Sequence, residues 1–125
     1  SKVIFVDVIN ARTRKDADVS ANAIANSMLV KTAIYGNDAN WGRIMAALGY
    51  SGAKINPERV DISINGVKVA SKGLSTGLDA KAKLSMQKSK EVYIIVDLNS
   101  GSQTSRVITC DLTENYVKIN AEYRT

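Results

Sequence analysis

The sequence predicts an α+β domain in which a mixed or antiparallel sheet of about five strands carries three or four helices. Three observations predict it. Val3-Ile4-Phe5-Val6-Asp7-Val8-Ile9 is a nearly continuous β-branched run, Asn65-Gly66 separates two short β-branched stretches, and apolar residues recur at helical spacing in several segments. Two hairpin signals, at Asn65-Gly66 and at Asn99-Ser100-Gly101-Ser102, favour antiparallel pairs over a doubly wound parallel sheet. No repeat, low-complexity stretch or linker divides the chain, so residues 1–125 are expected to form one domain.

Taken in order, Val3 to Ile9 reads as a strand buried on both faces, because apolar residues occupy both parities. Thr13 followed by Asp16 resembles a capping box, with a shorter acid than usual. Ala17, Ala21, Ile24, Ala25 and Met28 then form one apolar stripe, and the small alanines let the helix lie close to a sheet. Ser27 can cap a second helix, Met28 to Tyr35, closed by Gly36. After a polar loop, Trp41 to Leu48 reads as a third helix ending at Gly49.

Gly52 to Arg59, with the chain's only proline at Pro57, is a connection. Val60, Ile62 and Ile64 alternate with Asp61 and Ser63 before the Asn65-Gly66 turn and a partner strand through Val67 and Val69. Leu74 to Gln87 contains a helix with Leu78, Ala82 and Met86 on one stripe and lysines opposite. Glu91 to Leu98 is a strand, and Gln103 to Leu112 is read as its hairpin partner. From Thr113 to Thr125 the tail starts like a capped turn or short helix and ends in a polar stretch bearing tyrosines.

Composition narrows the chemistry. The 125 residues carry 17 Lys and Arg against 12 Asp and Glu, a net charge of +5, with 45% hydrophobic residues. A chain of this size supports one hydrophobic core. Its apolar runs are too short to span a membrane as a helix. The single Cys110 excludes an internal disulfide and fits a reducing compartment, and its strand context reads as a small core residue rather than a nucleophile. The absence of histidine removes Ser-His-Asp and Cys-His dyads and histidine-ligated zinc from this chain. No carboxylate cluster points to a metal, and no glycine pattern to a phosphate cradle.

The charge does not by itself make a nucleic-acid binder. Basic residues are spread from Lys2 to Arg124, and the one dense stretch, Lys72 to Lys90, has no aromatic until Tyr93. A solvated surface is the plainer reading, with a stand-alone basic module for RNA or an acidic partner as the rival.

Two segments carry more polar detail than packing requires. In Gly36-Asn37-Asp38-Ala39-Asn40-Trp41-Gly42-Arg43, Asp38 or Asn40 can cap the following helix, Trp41 anchors the loop, and Arg43 offers a fork for a carboxylate. The plainer alternative is that Asp38 and Arg43 brace the loop against a neighbouring element. In the tail, Asn120 and Thr125 either line a pocket or lie on a segment that seals the core.

These segments resemble a known family. Ala25-Asn26-Ser27-Met28-Leu29-Val30-Lys31-Thr32-Ala33-Ile34-Tyr35-Gly36 through Asp38-Ala39-Asn40-Trp41-Gly42-Arg43-Ile44 is similar to the signature of the ornithine acetyltransferases (glutamate N-acetyltransferases, the ArgJ family) of arginine biosynthesis. Val96-Asp97-Leu98, Cys110-Asp111-Leu112-Thr113 and Tyr116 to Thr125 resemble that family's C-terminal end in the same order, so the likeness covers the whole chain. Met28 stands where the family pattern leads one to expect proline, a change the helix tolerates.

The resemblance implies transfer of an acetyl group from N-acetylornithine to glutamate, and some members also accept acetyl-CoA. The acetyl group passes through an acetyl-threonine intermediate on a threonine freed by self-cleavage of a precursor. No cofactor or metal is implied. The nucleophile would lie upstream of this chain, which would be the N-terminally truncated C-terminal domain of the β subunit. Ser1-Lys2 resembles the end of a Gly-Glu-Gly-Ala-Thr-Lys type motif, with Ser1 in the threonine's place and the family's substrate-binding glutamate before the first residue. Ser1 is therefore not the nucleophile, and no residue here is expected to be catalytic.

Asn120 and Thr125 match the family's C-terminal substrate-binding asparagine and final hydroxyl residue. The implied partners are the α chain and the remainder of the β chain, in an α2β2 or larger heteromer, with neither nucleic acid nor membrane. The implied location is the cytoplasm in a bacterium, and the mitochondrion or plastid in a eukaryote.

Overall fold

The structure, a computed structural model, describes residues 1–111. Its elements run β1 (Val3–Ala11), α1 (Arg14–Ala25), α2 (Met28–Tyr35), α3 (Trp41–Tyr50), a 3-10 turn (Pro57–Arg59), β2 (Asp61–Ile64), β3 (Val67–Ser71), β4 (Leu74–Ser75), α4 (Asp79–Gln87), β5 (Glu91–Asp97) and β6 (Gln103–Cys110). The strands form one mixed sheet in the order β4-β3-β2-β5-β1-β6. The α+β class predicted from the sequence is the observed one, with six strands and four α-helices among the described residues.

Three of the four described helices begin at a side-chain cap, and α4 begins at Leu78 without one. Thr13 Oγ1 accepts from Asp16 N at 3.0 Å, Ser27 Oγ from Val30 N at 3.2 Å, and Asn40 Oδ1 from Arg43 N at 3.1 Å. Ala17, Ala21, Ile24 and Ala25 are buried as expected. Met28 is not, because α1 stops at Ala25 and the chain redirects through Asn26 and Ser27 into α2. Helix α3 runs one residue past Gly49, to Tyr50. Helix α4 buries Ala82 and Met86 but leaves Leu78 exposed at its N-cap, since Leu74 and Ser75 are taken up by the short strand β4.

The Asn65-Gly66 hairpin forms as predicted, with φ of 48° and 79° at its two residues. The other predicted hairpin does not. β5 and β6 are not neighbours: β1 lies between them, parallel to β5 and antiparallel to β6. The turn after β5 steps across the end of β1, where Leu98 N donates to Ile9 O and Ser100 N to Asn10 O. Gly101 makes that crossing possible. A Cβ there would fall on the Ala11 carbonyl and 2.8 Å from Arg12 Cα.

β1 also departs from the expectation of burial on both faces. Ile4, Val6 and Val8 are buried, with Val92, Ile94 and Val96 of β5 and Ile62 and Ile64 of β2 on the same side. They meet Ile24, Ile34, Ile44, Leu48 and Met86 from the helices to form the core. Phe5, Asp7 and Ile9 point the other way and are only half-buried, because the described helices all pack on the first face.

Candidate functional site

Strand parity sorts side chains between the core and this second face. Across it run the rows Ile108–Phe5–Tyr93 and Arg106–Asp7–Ile95, read from the β6–β1 and β1–β5 registers. Phe5 and Tyr93 stack with centroids 4.6 Å apart and planes 7° from parallel. Arg106 meets the Asp7 carboxylate with both arms of its fork, Nε at 2.7 Å and Nη2 at 2.9 Å, and lies 5.4 Å over the Phe5 ring. The Asp7 hydrogen bond and charge raise the Arg106 pKa further. The Tyr93 hydroxyl donates to Glu91, which raises the Tyr93 pKa above 10.0. Sequence reading missed this arrangement. Its signal was a shared parity: Asp7 and Arg106 interrupt apolar strands on the same side as Phe5, Tyr93 and Ile95.

The loop after α2 is built for bracing. Asp38 N donates to Ala33 O at 2.8 Å, and Asn40 Nδ2 donates to Asp38 Oδ2 at 3.3 Å. Trp41 packs half-buried against the core. Arg43, read as a fork for a carboxylate, instead directs Nη1 to Leu29 O at 2.9 Å and to Thr32 Oγ1 at 3.3 Å. It ties the start of α3 back to α2, so the bracing alternative is the one the contacts support. Asn37, at φ 54°, keeps its buried Oδ1 without a hydrogen-bond donor among the described residues.

A cleft of about 380 Å³ lies at one end of the sheet, lined by Glu58, Arg59, Asp61, Lys72 and Asn99. Desolvation pushes the Asp61 carboxyl up. The Lys72 backbone N–H, the Asn99 amide, the nearby Lys68 ammonium and a Ser71 hydrogen bond outweigh it and hold the pKa below the ordinary carboxylate value. Asp61 Oδ1 accepts from Lys72 N at 2.9 Å, while Asn99 Nδ2 reaches Arg59 O at 2.7 Å and Asp61 Oδ2 at 3.3 Å. The carboxylate thus ties the β3–β4 turn to the link after β5 and has little capacity left for a ligand.

Cys110, expected in the core, is exposed at the end of β6 on the second sheet face, opposite Val3. Beyond it, Asp111 is buried and bonded to Lys2. Asn120 and Thr125, the residues predicted to contact substrate, lie outside the described residues. Among the described residues no helix is long and apolar enough to cross a membrane.

The ArgJ family model matches residues 1–125. Over 129 aligned residues the chain is 49% identical to the arginine biosynthesis bifunctional protein ArgJ of Caldanaerobacter subterraneus, covering 100% of this chain and 32% of that protein. It is 45% identical over 133 residues to the glutamate N-acetyltransferase of Methanothermobacter thermautotrophicus, covering 100% of this chain and 33% of that one. The crystal structure of the arginine biosynthesis bifunctional protein ArgJ from Bacillus halodurans superposes with a TM-score of 0.93 at 43% identity, over 98% of this chain and 58% of that chain. The chain therefore spans about a third of the length of the curated relatives it matches. It belongs to the ArgJ family.

Proposed function

We propose that these residues are the C-terminal domain of the β subunit of an acetyltransferase that moves an acetyl group from N-acetylornithine to glutamate. The observation that carries this reading is the family match along residues 1–125. In the proposed scheme a threonine outside this chain attacks the acetyl carbonyl of N-acetylornithine, its own α-amine taking the hydroxyl proton. The C–N bond breaks, and that proton leaves with the ornithine amine. The glutamate amine then attacks the acetyl-threonine ester and regenerates the hydroxyl. Such a two-step exchange predicts ping-pong kinetics.

Within this scheme the chain contributes binding, not bond-making. Asn120 offers amide hydrogen bonds to the α-amino or α-carboxylate end of the substrate, and Thr125 its hydroxyl. What supports a non-catalytic role is the condition of the described polar groups. Arg43, Asp61, Arg106 and Asp111 are each engaged by a partner within the fold. The proposed setting is a bacterial cytoplasm, with an α chain and the rest of the β chain as partners in an α2β2 or larger heteromer. The RNA-binding rival gains nothing from the second sheet face, where the arginine beside the stacked aromatics is already paired with Asp7.

The test is acetyl transfer by a polypeptide of full ArgJ length carrying this sequence, beside the 125-residue chain alone. The long form is expected to transfer and the short one not to; robust turnover by the short chain overturns the reading. In the long form, Asn120→Ala is expected to lower kcat/KM by about 1–3 kcal/mol, the cost of a lost polar contact. An unchanged value removes Asn120 from the site.

A further inference from the structure

The second face of the sheet has no cover among the described residues, and its chemistry is that of an interface. Val3, Tyr93, Ile95 and Ile108 are exposed there around half-buried Phe5, with Ile108 59% accessible. Strands spaced about 4.8 Å apart and rising about 3.3 Å per residue make the β5-β1-β6 part of this face about 300 Å². That outline includes Asp7 and Arg106 and falls at the lower end of the about 300–600 Å² of the largest apolar patch on a typical monomer, a patch that is often functional. The central pair β1–β5 is parallel, and parallel strands are ordinarily covered on both sides. The ion pair in the middle of the patch, Arg106 with Asp7, is matched arm for arm, so a partner covers the middle without stranding a charge there, while Glu91 sits at the rim beside Val3 and Tyr93.

We propose that this face is the docking surface for the part of an ArgJ-length polypeptide that these residues leave out. The proposal rests on the reading given under Proposed function. What points to that occupant is length and tethering. The matched relatives are about three times as long as this chain, and even the superposed Bacillus halodurans chain has 42% of its length outside the matched region. A segment on the same polypeptide, as the rest of the β chain is throughout and the α part is before self-cleavage, sits at millimolar effective concentration and outcompetes a free partner for an open apolar face. A second copy of this chain would have to bury the same patch without that advantage.

Hydroxyl-radical footprinting of Tyr93 and Ile108 tests this, comparing the ArgJ-length polypeptide with the 125-residue chain, each at several concentrations. Both residues are expected to be modified at least about tenfold more slowly in the long polypeptide, with Ile108→Asp restoring fast Tyr93 modification there. Equal rates in the two forms overturn the proposal. So does protection in the short chain: if it rises with concentration a second copy is the occupant, and if it does not the chain covers its own face. Acetyl transfer measured on the same long sample separates the two claims. Protection without transfer overturns the function and keeps the docking surface, while transfer with an unprotected face does the reverse.

Discussion

Lys2 and Asp111, 109 positions apart in sequence, are joined by two hydrogen bonds: Lys2 N donates to Asp111 Oδ1 at 2.8 Å, and Asp111 N to Lys2 O at 3.1 Å. The Lys2 ammonium reaches back to Met86 O and, at 3.0 Å, to Ser89 O. The pair therefore closes the β1–β6 edge and clamps it to the end of α4. It also holds the residue from which the segment bearing Asn120 and Thr125 continues.

Removing the Asp111 carboxylate leaves a part-buried N–H without its acceptor, which costs about 1–3 kcal/mol. Asp111→Ala is expected to lower the urea midpoint accordingly, with an unchanged m-value. Asp111→Asn keeps an oxygen in the same place and should recover most of the loss. Equal destabilisation by both variants would mean that charge, not the hydrogen bond, is what the site needs.

At Gly101 the constraint is steric. The crossing over β1 leaves no room for a methyl group between this residue and the Ala11 carbonyl. Gly101→Ala must displace backbone on one side or the other, at a cost of about 1–3 kcal/mol. Gly49→Ala, in an α3 position where a Cβ meets nothing within 4 Å, is the control and is expected to be neutral or slightly stabilising. Thermal unfolding of the two variants checks both signs.

The same crossing marks where the sequence stops being readable. Thr13, Ser27 and Asn40 announce their helices because a cap acts within three residues, and Asn65-Gly66 announces its hairpin because both positive-φ positions are adjacent. Asn99-Ser100-Gly101-Ser102 looks like the same kind of signal, yet the strand it leads to pairs with β1, about a hundred residues earlier. Nothing local separates a turn that folds a strand back on its neighbour from one that steps over an intervening strand. Burial shows the same limit. Alternation in β5 is visible as Val92, Ile94 and Val96, but Phe5 and Ile9 make β1 look apolar on both sides, and Cys110 looks like core, until the helices are seen to cover one face only. Asn120 and Thr125 lie outside the described residues, and their assignment to a substrate site stays an expectation from family resemblance.

Asp61 predicts a pH dependence. Its folded pKa lies below 3.8, so the folded protein holds this proton less tightly than the unfolded chain. The sign follows from linkage: the contribution is fully present above 3.8, and it is lost as pH falls through the lower folded value. Asp61→Asn removes the contribution and keeps an amide oxygen for the Lys72 N–H. The stability difference between wild type and Asp61→Asn is therefore expected to be constant from neutral pH to about pH 5 and to shrink below pH 4. A difference that grows on acidification would assign the stabilisation to another group.

Arg43 distinguishes a brace from a catalytic contact. Its guanidinium donates to the Leu29 carbonyl and the Thr32 hydroxyl, both on α2, so its loss loosens α2 against α3. Arg43→Ala is expected to cost about 1–2 kcal/mol of stability. Arg43→Lys recovers only part of it, because Nη1 alone donates to both acceptors and a lysine ammonium sits on a shorter stem with no planar group to fix its direction. In an ArgJ-length polypeptide held well below its unfolding temperature, both variants are expected to keep kcat/KM within about twofold of wild type. A role in binding substrate carboxylate would show the opposite pattern: KM would rise, stability would hardly change, and lysine would rescue because it retains the charge. The contacts on α2 favour the first pattern, and a unimpaired unfolding midpoint with a raised KM would overturn it.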